Sequence, residues 1–222
     1  YQGDSIVKEY NLDVNGDIVQ NKNGVAIVKK RLNSKNEIVS EIYFDENGDF
    51  AKMEDDVVEY RYGYNGDGQK TETAVYDSIG NLTAFDADVA IIRWDYDENG
   101  HRSKTTYYNK NGQLAYTGDS VTYNIYKYRK DGKLLKRENY DIKMRPNLFD
   151  GAFKTRFIFN QAGLDSIQYE YDTSGHLKEG VAITKFYYNK YNNKTRTEYY
   201  DASNKRIKNS KGVSAINIVY DS

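Results

Sequence analysis

Apolar and polar residues alternate along this chain in short runs, and one device punctuates them: an aromatic or leucine, then Asp or Asn, two free positions, then Gly or Asn. The anchors that open it are Leu12, Leu32, Phe44, Tyr64, Tyr76, Tyr96, Tyr108, Tyr128, Tyr140, Phe159, Tyr171, Tyr188, Tyr200 and Tyr220. Their spacings alternate between 12 and 20, a unit of 32 residues, with two late gaps shortened to 19 and 17. An Asx side chain at the start of a turn accepts backbone N–H bonds. Gly, and next best Asn, tolerates positive φ. Together they predict a short hairpin loop, a type I turn closed by a left-handed residue that makes a bulge.

A second landmark supports the frame. Val25, Val57, Val89, Val121, Phe153, Val181 and Val213 each follow a small or turn-prone residue, at intervals of 32 except for one of 28. Each unit therefore reads as three strands: a long one such as 89–96, a second such as 101–108, and a short third such as 113–116. No segment holds a 3.6-residue period, so no helix is expected. Period-two alternation puts Ala90, Ile92, Trp94 and Tyr96 on one face of a long strand. The opposite face begins apolar at Ile27, Ile91, Tyr123 and Ile183 and turns basic at Lys29, Arg61, Arg93 and Lys185. The long strand should start buried on both sides and end with one side wet.

These patterns predict an all-β fold: one repetitive domain over 1–222, about seven units in an extended or superhelical antiparallel β-meander. A closed ring or propeller of the same units is the alternative, although 32 residues is short for a four-stranded blade. The pattern breaks at 141–180. Residues 141–152 lack the turn Gly and carry the one proline, Pro146, and 172–180 run short. Pro cannot donate to a ladder, so an edge, bulge or irregular loop is expected there.

Composition narrows the function. The chain is 38% hydrophobic but holds 23 tyrosines, whose rings bury while their hydroxyls stay wet. Lys and Arg number 32 against 33 Asp and Glu, which disfavours nucleic acid or an anionic membrane as partner. No apolar run is long enough to insert in a bilayer as a helix. No leader is visible, and the chain opens inside a repeat. Without cysteine there is no disulfide or thiolate chemistry.

The stretches 11–49 and 96–114 carry the unit most clearly, in NLDVNGD, YFDENGD and YDENGHRSKTTYYNKNGQL. This is similar to the tandem bacterial tyrosine–aspartate repeats of the YD/Rhs type. It distantly resembles MORN-variant and choline- or glucan-binding repeats. The resemblance covers nearly the whole chain. It implies extended antiparallel sheets in secreted or cell-surface bacterial proteins, and says little about activity. The choline-type repeats need several tryptophans per site, and this chain has only Trp94.

Catalytic and metal motifs are sparse. His101 and His176 each follow a turn Gly at equivalent positions, as hairpin residues would. Asp13, Asn15 and Asp17, and likewise Asp45, Asn47 and Asp49, resemble the start of a calcium loop. Position 12 from Asp13 is Gly24 and from Asp45 is Asp56, where such a loop needs a bidentate Glu. No catalytic residue, cofactor or metal is expected, and the chain reads as non-enzymatic. What remains are rows of equivalent side chains: an aromatic row of Tyr62, Trp94, Tyr126 and Phe186, and a basic row containing Arg61, Arg93 and Lys185. They are core and solvated face, or a ligand-binding stripe. The expected function is a structural or interaction module binding protein or glycan partners, with end-to-end self-association at sheet edges. A carbohydrate-binding module is the alternative, and a glycan-acting enzyme a more distant one.

Overall fold

The computed structural model describes residues 5–53 and 56–220. They form antiparallel strands, with no α-helix among the described residues. The chain divides into two compact units, Tyr1–Gly118 and Asp119–Ser222. The first contains β1 (Ser5–Tyr10), β2 (Ile27–Leu32), β3 (Ile38–Phe44), β4 (Glu59–Tyr64), β5 (Lys70–Tyr76), β6 (Ile91–Tyr96) and β7 (Arg102–Tyr108). The second contains β8 (Tyr123–Tyr128), β9 (Leu134–Tyr140), β10 (Lys154–Phe159), β11 (Asp165–Tyr171), β12 (Ile183–Tyr188), β13 (Lys194–Tyr200) and β14 (Ala215–Asn217). Within each unit the strands pair in chain order, so each is an open meander and neither closes into a ring.

The turn device has the geometry its residues dictate. In the first copy Asp13 Oδ1 accepts the N–H groups of Asn15 and Asp17 at 2.8 and 3.0 Å. Gly16 donates to the Asp13 carbonyl from a left-handed φ of 90°. Hydrogen bonds from Asp17 and then Asn15 hold the Asp13 carboxyl below its usual range. That carboxylate serves the turn. Each hairpin of a long and a second strand shifts register by one residue beside its anchor, as at Asp95/Tyr96 and Tyr187/Tyr188. His101 and His176 donate their backbone N–H groups to Asp97 and Asp172, as hairpin residues.

The core lies at one end of the strands. Val57, Val58, Val89, Ala90 and Val121 are fully buried just before their long strands begin. A β-branched residue suits a site covered on both faces of the sheet, and each such burial contributes about 1.5–3 kcal/mol. Farther along, β6 is exposed at Arg93 and Asp95 and half-buried at Trp94 and Tyr96. The double-sided start and wet end expected of the long strands are both present.

The third strand of each unit is a single bridge. Leu12 pairs with Ile18, Tyr76 with Leu82, Tyr108 with Leu114 and Tyr140 with Pro146. The residue after each bridge donates back: Thr83 to Val75, Ala115 to Tyr107, Asn147 to Asn139. The unit thus uses the N–H of the residue following Pro146, and the proline costs the ladder nothing.

Two sequence expectations are corrected around this proline. The turn at 141–145 is regular, because Met144 takes the left-handed conformation at φ 59° in place of Gly. Met144 donates to the Asp141 carbonyl and Arg145 to Asp141 Oδ1, as in the copies that begin with Asp or Asn. The landmark in this unit is Ala152 rather than Phe153. Phe153 donates to the Tyr171 carbonyl as Ala90 does to Tyr108, so it occupies the following position. The residue is lost earlier, where Phe149 and Ala152 close a tight turn over Asp150 and Gly151, both at positive φ.

Candidate functional site

Strand pairing assigns the rows to faces. Tyr62 lies opposite Thr73, and Thr73 opposite Ile92, so Tyr62, Ile92 and Trp94 share a face of the first unit. Arg61 lies opposite Ala74, and Glu72 opposite Arg93, on the other face. In the second unit Phe186 lies opposite Thr197 and Tyr126 opposite Arg137, on the face equivalent to that of Trp94. Lys185 lies opposite Glu198.

The aromatic row is capped by cations from the neighbouring strand. Lys70 Nζ stands 3.6 Å from the Tyr62 ring centroid, the Arg102 guanidinium 4.7 Å from Trp94, and Lys194 Nζ 4.5 Å from Phe186. All three cations open a second strand, opposite the bulged anchor of their hairpin. Packing against Tyr62 desolvates Lys70 and lowers its pKa. The Tyr62 hydroxyl donates to Glu41 at 2.6 Å, and burial together with this bond raises its pKa.

The basic row lies on rings of its own. Arg61 stacks 3.8 Å over Tyr76, Arg93 4.8 Å over Tyr108, and Lys185 4.3 Å over Tyr200. Arg61 also forks onto Glu59 at 2.9 and 2.8 Å, and Ser40 Oγ donates to the same carboxylate at 2.7 Å. Burial opposes ionisation of Glu59, but these bonds outweigh it and its pKa is lowered. Arg93 pairs with Glu72 at 2.7 Å. On the same face of the second unit, Glu198 accepts the hydroxyls of Tyr187 and Tyr200 at 2.8 and 2.6 Å and Arg196 Nε at 2.8 Å.

Apart from Tyr126, whose hairpin opens its second strand with Leu134, the row residues fall into two kinds of contact, rings under cations and cations over rings. Two members escaped the sequence pattern. Phe157 and Arg156 occupy the positions of Trp94 and Arg93, two and three residues before the anchor Phe159. Counting back from the anchor finds them. Counting forward from Phe153 lands on Ile158.

Concave surface is modest. A groove of about 450 Å3 in the second unit is lined by Phe157, Phe159, Leu164, Tyr188 and their neighbours. One of about 370 Å3 in the first unit lies along Lys29, Arg31, Glu59 and Arg61. No group of three or more His, Asp or Glu able to hold a metal occurs among the described residues.

No family model matches the sequence. No curated protein matches it. Among solved structures the chain is similar to the crystal structure of TcdB2-TccC3-TEV, with a TM-score of 0.46 and 13% identity, over 96% of this chain. It is also similar to the Photorhabdus luminescens Tc holotoxin pore, with a TM-score of 0.38 and 10% identity over 87% of the chain. The chain spans 11% of the length of each of these much longer chains.

Proposed function

We propose that this chain is a non-enzymatic structural and interaction module of a bacterial secreted or cell-surface protein. It meets protein or glycan partners weakly and repetitively through its repeated faces. One observation carries this reading: the charged residues that recur with the repeat hold the sheet together. Lys70, Arg102 and Lys194 cap rings, and Arg61 and Arg93 pair with carboxylates while lying over tyrosines. Chemistry of that kind maintains a long, similar surface, and does not gather groups at one point for catalysis. The resemblance to tyrosine–aspartate repeats supports the surface or secreted setting.

The full chain, applied to arrays of glycans and extracellular proteins at dense and sparse display, tests this reading. Retention should require dense display, because weak repeated contacts act through effective concentration. Tight one-to-one binding of a single partner at sparse display, or turnover of a displayed glycan, would sink the proposal.

A further inference from the structure

The residue six before the closing anchor of each second strand occupies one structural position: Ile6, Ile38, Lys70, Arg102, Leu134, Asp165 and Lys194. Three of these are cations that cap a ring two residues before the facing anchor. Asp165 is the acid among them. It faces the anchor Phe159, and the ring two residues before that anchor is Phe157. The face of an aromatic ring is electronegative and repels a carboxylate, so Asp165 cannot act as the cap. Here the sheet surface opens instead. Phe157, Phe159, Leu134, Leu164 and Tyr188 line the groove of about 450 Å3, together with Lys133 and Asp165.

The polar groups around it are unequally free. Lys133 donates to the Gly163 carbonyl and lies 5.9 Å from the Phe159 ring, over which the Arg129 guanidinium stands at 4.6 Å while paired with Asp131 at 3.2 Å. The Tyr188 hydroxyl donates to the backbone carbonyl of Asp165 at 2.8 Å. Asp165 is exposed, and its carboxylate forms no ion pair among the described residues. The Phe157 ring, an unpaired carboxylate and an aliphatic wall stand where three of the equivalent hairpins hold their own Lys or Arg.

We propose that this groove receives a lysine or arginine side chain presented by an extended segment of a partner protein. The cation would lie over Phe157 and pair with Asp165, and its alkyl stem would run along Leu134 and Leu164. The occupant is a polypeptide because the fold's own cations reach the equivalent rings from a neighbouring strand, stem included. The inference rests on the interaction-module reading only in taking a protein as partner.

The test is a nuclear magnetic resonance titration of the full chain with an end-blocked Gly-Gly-Lys-Gly-Gly peptide, against peptides with Leu or Glu in place of Lys. The lysine peptide should shift amides of β10, β11 and β12, and the other two should not. Asp165→Asn should weaken binding about fivefold. Asp165→Lys should abolish it and raise the melting temperature, because the chain then supplies its own cap. Leucine binding equal to lysine, absence of binding, shifts elsewhere, or unchanged affinity in Asp165→Asn would overturn the proposal. Lysine binding here with no retention on the arrays would leave the site standing and remove the interaction-module reading. Retention on the arrays without lysine binding would do the reverse.

Discussion

The hydroxyl of Tyr96 donates a 2.5 Å hydrogen bond to the backbone carbonyl of Lys70, 26 residues earlier in the chain. Tyr64 bonds Ile38, Tyr188 bonds Asp165 and Tyr220 bonds Lys194 in the same way, at 2.7, 2.8 and 3.0 Å. Each bond ties the end of a long strand to the start of the preceding second strand. It explains why the repeat prefers tyrosine to phenylalanine there. The ring supplies area, and the hydroxyl reaches a carbonyl that the bulged ladder leaves available.

Tyr96→Phe keeps the ring and removes the tie. The expected loss is about 1 kcal/mol, the usual net worth of one such bond. Tyr64→Phe should cost a similar amount. The two should couple rather than add, because the Lys70 whose carbonyl Tyr96 bonds lies directly opposite Tyr64 in the ladder. Urea unfolding of both single variants and the double variant measures this, with the slope against denaturant unchanged.

Trp94 and Arg102 separate a structural row from a ligand platform. If Arg102 stabilises the fold through the indole, Trp94→Ala and Arg102→Ala should show a coupling of about 0.5–1 kcal/mol in a double-mutant cycle. Arg102→Lys should retain part of it. A coupling of zero, with glycan retention lost in Trp94→Ala alone, would move Trp94 from scaffold to binding surface.

The turn residues were the most legible part of the sequence, because Asx and Gly have one strong conformational reason to recur three residues apart. Legibility failed where a residue without that preference does the same work. Met144 takes the left-handed conformation unaided, so the regular turn at 141–145 resembled a loop in the sequence. Phe153 resembled the missing landmark because it is apolar, but Ala152 holds the position and Phe153 packs edge-on to Tyr140 with ring centroids 5.4 Å apart. The aromatic and basic rows were readable as rows. Their pairing was not, since it depends on which strand start faces which bulged anchor, and a one-residue bulge changes that. The meaning of Asp165 lies in the rings that Lys70, Arg102 and Lys194 cover at the equivalent positions, which no pattern in the sequence displays.

Met144 should carry a measurable strain. A non-glycine, unbranched residue held at positive φ costs about 1 kcal/mol relative to glycine there. Its side chain is exposed, so little packing is lost on removal. Met144→Gly should therefore raise stability by about 1 kcal/mol, despite the greater freedom of glycine in the unfolded chain. Gly112→Ala, at φ 73°, should lower stability by a similar amount. Thermal melts of the two variants should move in opposite directions.

Glu198 sets the acid limb of stability in its hairpin. Hydrogen bonds from Tyr200 and then Tyr187 lower its pKa to about 2, with Arg196 adding to them against the cost of burial. Arg206 lies 3.4 Å from the same carboxylate, and Lys185 sits over the Tyr200 ring, so the groups facing it donate or are positive. The carboxyl is more acidic folded than unfolded. Its contribution is therefore complete above the ordinary carboxyl value of 4.5 and is lost as pH falls toward about 2. Over that window one proton is taken up on unfolding, a slope of at most about 1.4 kcal/mol per pH unit. Other carboxyls with lowered values, Glu59 among them, contribute to the same limb, so the comparison must be with a variant. Glu198→Gln keeps the shape, removes the charge and should cost about 2–3 kcal/mol at neutral pH, where two phenols and a guanidinium lose an ionised acceptor. The difference between wild type and Glu198→Gln should shrink steadily from pH 4.5 to pH 2. A difference that stays constant across that window would show that the loss at neutral pH is one of packing and not of the charged carboxylate.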